Sequence, residues 1–226
     1  LPAILSVVLA LGVQRMATHK AVVKRLTSVE TLGSASVICS DKTGTLTRSE
    51  MTIQEVVTAS GTCVVTGIGY APDGEVAPDA DHDGRPDATP LSGALRDEVT
   101  VVLSGGTLAS DAELSADEDV WSVVGDPTEG AFLVAERKLG TDGRREGRFE
   151  RVGEIPFTSE RKMMSVLLTD TEHGMIIMSK GAPDILMEHC AQMRLGEASA
   201  ELTGQARARF AERIADMSGR ALRTLG

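Results

Sequence analysis

The heptapeptide Asp41-Lys42-Thr43-Gly44-Thr45-Leu46-Thr47 holds the residue types best suited to phosphoryl chemistry. A carboxylate such as Asp41 can attack a phosphate donor and form an acyl phosphate. The hydroxyls and backbone N–H groups of Thr43, Thr45 and Thr47 can bind phosphate oxygens without adding negative charge, and Lys42 supplies countercharge. Gly44 permits a tight turn and close backbone approach. The apolar run Ala35 to Cys39 predicts a buried strand that delivers Asp41 to its carboxyl end, where open α/β sheets bind their ligands. Taken alone, Asp-Lys-Thr-Gly also reads as a solvated turn that ends a strand.

Four further clusters lie downstream. Gly125-Asp126-Pro127-Thr128-Glu129-Gly130-Ala131 predicts a helix to Leu139, with Asp126 as N-cap, Pro127 at the first helical position, Glu129 at the third and Gly140 as the stop. Capping explains those identities, and a carboxylate held at a helix N-terminus keeps a lone pair for a ligand amino group. Pro156 to Ser165 runs into the strand Val166-Leu167-Leu168 and contains Phe157, one of four Phe in the chain. Ser179-Lys180-Gly181-Ala182-Pro183-Asp184 follows a predicted strand Met175 to Met178 and precedes a helix to Cys190. Near the end, a helix from about Ala200 to Met217, with Arg and Glu on a solvated face, leads to Arg220-Ala221-Leu222-Arg223.

The elements that must position these clusters are mixed. Thr52 to Thr58 and Thr62 to Thr66 alternate apolar and polar residues around Ala59-Ser60-Gly61, a hairpin pattern. Thr89-Pro90 reads as a helix start, Leu91 to Leu103 as the helix, and Gly105-Gly106 as its end. Asp79 to Asp87 imitates the first half of a calcium loop, but its twelfth position is Pro90 where a bidentate Glu is required, so it reads as a solvated acidic loop. Leu103-Ser104-Gly105-Gly106 imitates an ABC-transporter signature, yet the chain has no Gly-x-x-x-x-Gly-Lys-Ser/Thr phosphate cradle. Leu1 to Val13 is almost wholly apolar and turns basic at Arg15 and Lys20. Thirteen residues do not span a hydrocarbon core of about 30 Å, while basic residues just past an apolar helix mark a cytoplasmic side.

With 226 residues and 42% hydrophobic content, the chain has material for one large or two small domains. Its net charge of −10 excludes a nucleic-acid partner, which needs a basic face. Three widely spaced cysteines suggest neither a disulfide framework nor a zinc site.

Asp41 to Thr47 matches the phosphorylation sequence of the P-type cation ATPases letter for letter, and Thr31 to Ser40 resembles the stretch leading into it. Gly67 to Val76, Gly125 to Ala131, Pro156 to Ser165, Ser179 to Asp184 and Arg220 to Gly226 resemble nucleotide-domain segments of the type II, calcium-pump-like members, in the same order. Leu1-Pro2-Ala3 and Leu9 to Gly12 resemble the cytoplasmic half of their fourth membrane helix. The resemblance implies an α/β (α+β) chain: residues 1–25 as the end of a transmembrane helix and stalk, 26–51 as part of a haloacid-dehalogenase-like phosphorylation domain, and 52–226 as a nucleotide-binding domain with an antiparallel sheet flanked by helices.

It further implies an ATP-driven pump of a multi-pass membrane protein, with these segments mostly on the cytoplasmic face, in contact with lipid, ATP and a transported cation whose ligands lie elsewhere. Asp41, Lys42 and Thr43 would be catalytic. Mg²⁺ would bind the Asp41 carboxylate and the Thr43 carbonyl. The nucleotide would meet Thr43, Asp126, Glu129, Phe157, Lys162, Met164, Lys180, Gly181 and Arg223, with Glu129 and Phe157 at the adenine. Many relatives carry an Arg two residues after the Phe; here it is Ser159, which puts that phosphate contact in doubt and leaves open whether Arg161 replaces it. The chain stops where another strand is expected and lacks the Gly-Asp-Gly-x-Asn-Asp and Thr-Gly-Glu segments, so the expectation is that it binds nucleotide without turning it over. The rival readings are a dehalogenase-like phosphatase, opposed by Thr43 where many of those enzymes carry a second Asp, and a non-catalytic ATP-binding regulator.

Overall fold

The computed structural model describes residues 2–25, 27–118 and 120–226, the side chain of Pro2 excepted. Leu1, which opens the apolar run, and Leu26, near the start of the expected phosphorylation segment, lie outside the described residues. The chain forms two compact units, Leu1–Ser49 and Glu50–Gly226.

The first unit holds helix α1 (Pro2–Thr18) and the short helix α2 (Thr27–Gly33). A Cβ on Gly12 of α1 would lie 3.6 Å from the Val29 side chain of α2, an ordinary van der Waals contact between the two helices. α1 exposes Ile4, Leu5, Val7, Val8 and Leu11. No helix among the described residues is long and apolar enough to cross a membrane. The expected strand Ala35 to Cys39 is not formed, and its residues are exposed. A strand needs a neighbour to pair its N–H and C=O groups, and among its described residues this unit contains no other strand.

The second unit opens with β1 (Glu55–Val57), β2 (Thr62–Val65) and β3 (Val76–Pro78), an antiparallel sheet in that order. The β1–β2 pair is the hairpin its alternation predicts. Helix α3 (Gly93–Leu108) follows, then hairpin β4 (Glu113–Asp117) and β5 (Val120–Val124), and helix α4 (Pro127–Leu139). β6 (Phe149–Ile155), β7 (Met163–Asp170) and β8 (Gly174–Gly181) form a second three-stranded antiparallel sheet. Helix α5 (Pro183–His189), hairpin β9 (Gln192–Leu195) and β10 (Ala198–Glu201), and helix α6 (Gly204–Gly219) complete the unit.

Three expected helix boundaries are corrected. α3 starts after Ser92, not at Thr89-Pro90, and runs through Gly105-Gly106 to Leu108. A Cβ on Gly106 would lie 2.2 Å from a ring atom of Phe132, so the glycine is there to let α4 approach and not to stop the helix. α6 starts after Thr203, whose side chain accepts from the Ala206 N–H, while Ala200 belongs to β10.

α3 is shared by two cores. Val99 and Leu103, both fully buried, pack with Val56, Cys63, Val65 and Val76 of the first sheet and with Phe132, Ala135 and Leu139 of α4. Leu108 and Ala109, at its far end, pack with Phe149, Met164, Val166, Leu168, Ile176 and Met178 of the second sheet. Side chains of about this size contribute about 1.5–3 kcal/mol each on full burial, which fixes α3 between the sheets. Buried carboxylates add polar ties. Glu98, 3% exposed, accepts from the Ser60 N–H (2.9 Å), the Ser60 hydroxyl (2.5 Å) and the Gly196 N–H (2.7 Å). Glu136, fully buried, accepts from Ser104 and from the Arg145 guanidinium.

The acidic loop is closed on itself. Both oxygens of the buried Asp79 accept backbone N–H groups, from Asp83 and Gly84 at 3.1 Å each, and Asp87 accepts from the Ala80 N–H at 3.0 Å. Its carboxylates cap turns.

Candidate functional site

The start of α4 organises one locality. Asp126 caps the helix through the Thr128 N–H at 2.7 Å, Pro127 occupies the first position, and Gly140 ends the helix at φ 71°. Burial alone would raise the Asp126 carboxyl; hydrogen bonds from Thr128 and the Glu129 N–H, with the Arg223 charge, outweigh it and hold the group below its ordinary value. Gly125, at φ 116°, brings the exit of β5 against the chain beyond α3: a Cβ there would lie 2.9 Å from the Ala112 Cα.

Glu129 does not close a capping box. One of its oxygens accepts the N–H groups of Asp111 (2.8 Å) and Ala112 (3.1 Å), and the other accepts from the Lys180 ammonium at 2.8 Å. The two side chains are 14% and 11% exposed, so this ion pair is largely removed from water and weakly screened. Lys180 also donates to the Ser110 hydroxyl at 2.9 Å and lies 5.9 Å from the Phe132 ring centre. It reaches this place because the alternation of β8 turns Lys180 to the same face as Ile176 and Met178, which meets α3.

Met164 stands opposite Lys180 in the β7–β8 ladder and is 7% exposed within the second core. Gly181 is required by the chain itself: a Cβ would lie 2.3 Å from the Lys162 carbonyl oxygen. Its N–H and C=O both pair with Gly226 at 3.0 Å. That pairing brings the terminal segment back to the site, where Arg223 donates to the Thr128 hydroxyl at 3.3 Å.

Phe157, 59% exposed, lies in the loop between β6 and β7. The register Ile155–Ser165–Ser179 puts that loop at the Lys180 end of the sheet. Lys162 is exposed at φ 54° beside it. Arg161 donates to Ser165, which bonds Ser179. Those two serines occupy the sheet face opposite Met164 and Lys180, so Arg161 does not stand in on the Lys180 face for the Arg missing at Ser159.

Asp126, Glu129, Met164, Lys180, Gly181 and Arg223 are thus brought together from distant segments. Asp41, Lys42 and Thr43 lie in the first unit. There the Asp41 carboxylate accepts the Thr43 N–H at 3.4 Å, Gly44 takes φ 72°, and the Thr47 N–H closes the turn onto the Lys42 carbonyl at 3.1 Å. Sequence reasoning missed Ser110 and the Asp111 and Ala112 amides; a serine at a helix exit carries no local signal of a partner seventy residues away. A cleft of about 430 Å³ beside Leu108, Leu133, Arg137, Arg145 and Phe149 contains none of these residues.

The antiparallel sheets packed on α3, the Glu129–Lys180 pair at the head of α4 and the Asp-Lys-Thr-Gly-Thr turn define a class. Residues 98–226 match the family described as P-type ATPase, cytoplasmic domain N, and the chain belongs to the P-type cation ATPases, of the type II calcium-pump-like kind. It is 43% identical over 192 residues to "Probable cation-transporting ATPase F" of Mycobacterium tuberculosis, covering 84% of this chain and 20% of that protein. It is 36% identical to a "Calcium-transporting ATPase" of Bacillus subtilis and 37% identical to "Calcium-transporting ATPase type 2C member 1" of Bos taurus, over all of this chain and 24% and 23% of those proteins. The chain therefore spans about a fifth to a quarter of the length of these relatives.

Proposed function

We propose that this chain is the catalytic middle of an ATP-driven cation pump of a membrane, carrying the phosphorylated aspartate and the ATP pocket, with calcium as the favoured cargo. The observation that carries the reading is the preformed Glu129–Lys180 pair at the head of α4, joined there by Arg223 from the end of the chain. Lys180 neutralises Glu129, so a polyphosphate is not repelled, and the carboxylate keeps lone pairs for the adenine amino group. Phe157 is exposed at the same end of the sheet and offers its ring face to a base. Lys162, Arg223 and the N-terminus of α4 supply positive potential for phosphates.

In transfer, an Asp41 carboxylate oxygen attacks the γ-phosphorus, the bond to the β–γ bridging oxygen breaks, and ADP leaves with that electron pair. Lys42 offsets charge on the phosphoryl oxygens, and Thr43 and Thr45 offer donors to them. Position 43 is a threonine, so no carboxylate stands two residues on to promote hydrolysis, and the acyl phosphate persists long enough to drive a conformational change. The Asp41 carboxylate with the Thr43 carbonyl is a hard-oxygen donor set of the kind Mg²⁺ takes. These two residues would hold the ion, which when bound neutralises charge on the transferring group.

The test is a calorimetric titration of ATP, with and without Mg²⁺, into the unmodified chain and Lys180→Ala. Saturable binding that Lys180→Ala weakens by about tenfold or more is expected, because the variant leaves Glu129 as a largely buried, unpaired charge. Binding that ignores the substitution would overturn the pocket assignment.

A further inference from the structure

We infer that Ser110 is a positioning residue of the nucleotide site, fixing the Lys180 ammonium so that its third N–H is left for the nucleotide. The inference rests on the ATP reading above. An ammonium has three donors, and among the described residues Lys180 spends two, on Glu129 at 2.8 Å and on Ser110 at 2.9 Å. The Ser110 hydroxyl has a single hydrogen and gives it to the Gly106 carbonyl at 2.6 Å, which turns its lone pairs toward Lys180. Its orientation is therefore set by the last turn of α3, and not by the lysine.

That turn is a firm base. Ala109, fully buried, donates its N–H to the Gly105 carbonyl at 3.0 Å, and Ser110 donates its N–H to the Thr107 carbonyl at 3.1 Å. The next two amides, of Asp111 and Ala112, hold the other oxygen of Glu129. The Asp111 carboxylate is in turn paired with Arg151 of β6. Three consecutive residues thus grip both members of the pair, the serine by its hydroxyl and the following two by their N–H groups. Without the hydroxyl, the four-carbon stem of Lys180 would be tethered only at Glu129 and would sample several rotamers.

The test uses the whole chain in five forms: unmodified, Ser110→Ala, Ser110→Thr, Lys180→Met, and the Ser110→Ala/Lys180→Met double variant. Ser110→Ala should raise the Kd for ATP about 3–10-fold, with Ser110→Thr within about twofold of the unmodified chain. In the Lys180→Met background the same change should have less than about a twofold effect, because the coupled partner is gone. Without nucleotide, acetylation of Lys180 by acetic anhydride, followed by mass spectrometry, should accelerate severalfold in Ser110→Ala and not in Ser110→Thr. That readout does not move if the serine serves only the helix end. An unchanged acetylation rate, or equal weakening of ATP binding in both backgrounds, overturns the inference and leaves the ATP reading in place. No ATP binding by the unmodified chain, or binding that Lys180→Met leaves intact, overturns the ATP reading and the inference with it.

Discussion

Adjacent glycines in one helix should respond to alanine with opposite signs. Gly105 and Gly106 both lie inside α3, where Gly→Ala gains about 1 kcal/mol of helix propensity. At Gly105 the added Cβ would meet only the Met178 sulfur at 3.7 Å, an ordinary contact, so Gly105→Ala should stabilise by about 0.5–1 kcal/mol. At Gly106 it would lie 2.2 and 2.3 Å from two atoms of the Phe132 ring, which is 8% exposed within the first core. The ring must move or the helices part, at a cost of about 1–3 kcal/mol for overpacking and up to about 3–5 kcal/mol if the phenyl packing is lost. Subtracting the propensity gain leaves a net loss of up to about 2 kcal/mol for overpacking alone, and of about 2–4 kcal/mol if the phenyl packing is lost. Because propensity is common to both positions, the difference between the variants reports packing alone, about 1–3 kcal/mol for overpacking and up to about 3–5 kcal/mol if the phenyl packing is lost. Urea unfolding followed through Trp121, the single tryptophan and a residue of the second unit, measures it directly. Equal stabilities, or a Gly106→Ala chain at least as stable as the unmodified one, would refute the assignment of Gly106 to close helix approach.

Other expectations follow from buried polar groups. Hydrogen bonds from the Arg148 guanidinium hold the Asp170 carboxyl well below the carboxylate range. A depressed carboxyl stabilises above its unfolded value of about 3.9 and loses that contribution as pH falls through its folded value, so thermal midpoints of Asp170→Asn and the unmodified chain should differ at pH 6 and converge toward pH 2. Burial, with the Asp79 charge, pushes the Cys63 thiol up to about 11, while Cys39 and Cys190 are exposed; Ellman's reagent should titrate two thiols in the native chain and three in urea. If the proposed function is right, Asp41→Asn in the full-length protein should abolish acid-stable phosphate incorporation from ATP, and incorporation that survives would remove Asp41 as nucleophile.

How far the sequence carried these conclusions depended on the range of the interactions. α4 was legible to the residue because Asp126, Pro127 and Gly140 satisfy or excuse backbone groups within a turn of themselves. The first turn of α5 at Pro183 was legible for the same reason. The end of α3 is not legible at Gly105-Gly106 because the reason for Gly106 is Phe132, in another helix. The strand expected at Ala35 to Cys39 had the right side chains and lacked a neighbour to pair with. The β4–β5 and β9–β10 hairpins went unseen because short, exposed strands bury too little apolar surface to show a period. At the site, the identities of Glu129 and Lys180 were readable, but their partnership was not: local spacing suggested a capping box, and the carboxylate went instead to two amides and an ammonium from other elements. Arg161 shows the same limit. Its place near Ser159 leaves open whether it replaces the missing arginine, and its hydrogen bond to Ser165 of β7 holds it at the other face.

The Glu98 carboxylate sets a clock on synthesis. Its partners are Ser60, 38 residues earlier, and Gly196, 98 residues later. At a ribosomal rate of about 5–20 residues per second, Glu98 and the Ser60 turn wait about 5–20 seconds for the β9–β10 turn to emerge. Through that interval the first core has its sheet and α3 in hand, yet one of its carboxylates lacks a donor it needs before leaving water. The N-terminal half of the unit can therefore collapse as it is made, but the buried charge that fastens it to the later half can be sealed only once the β9–β10 turn has emerged.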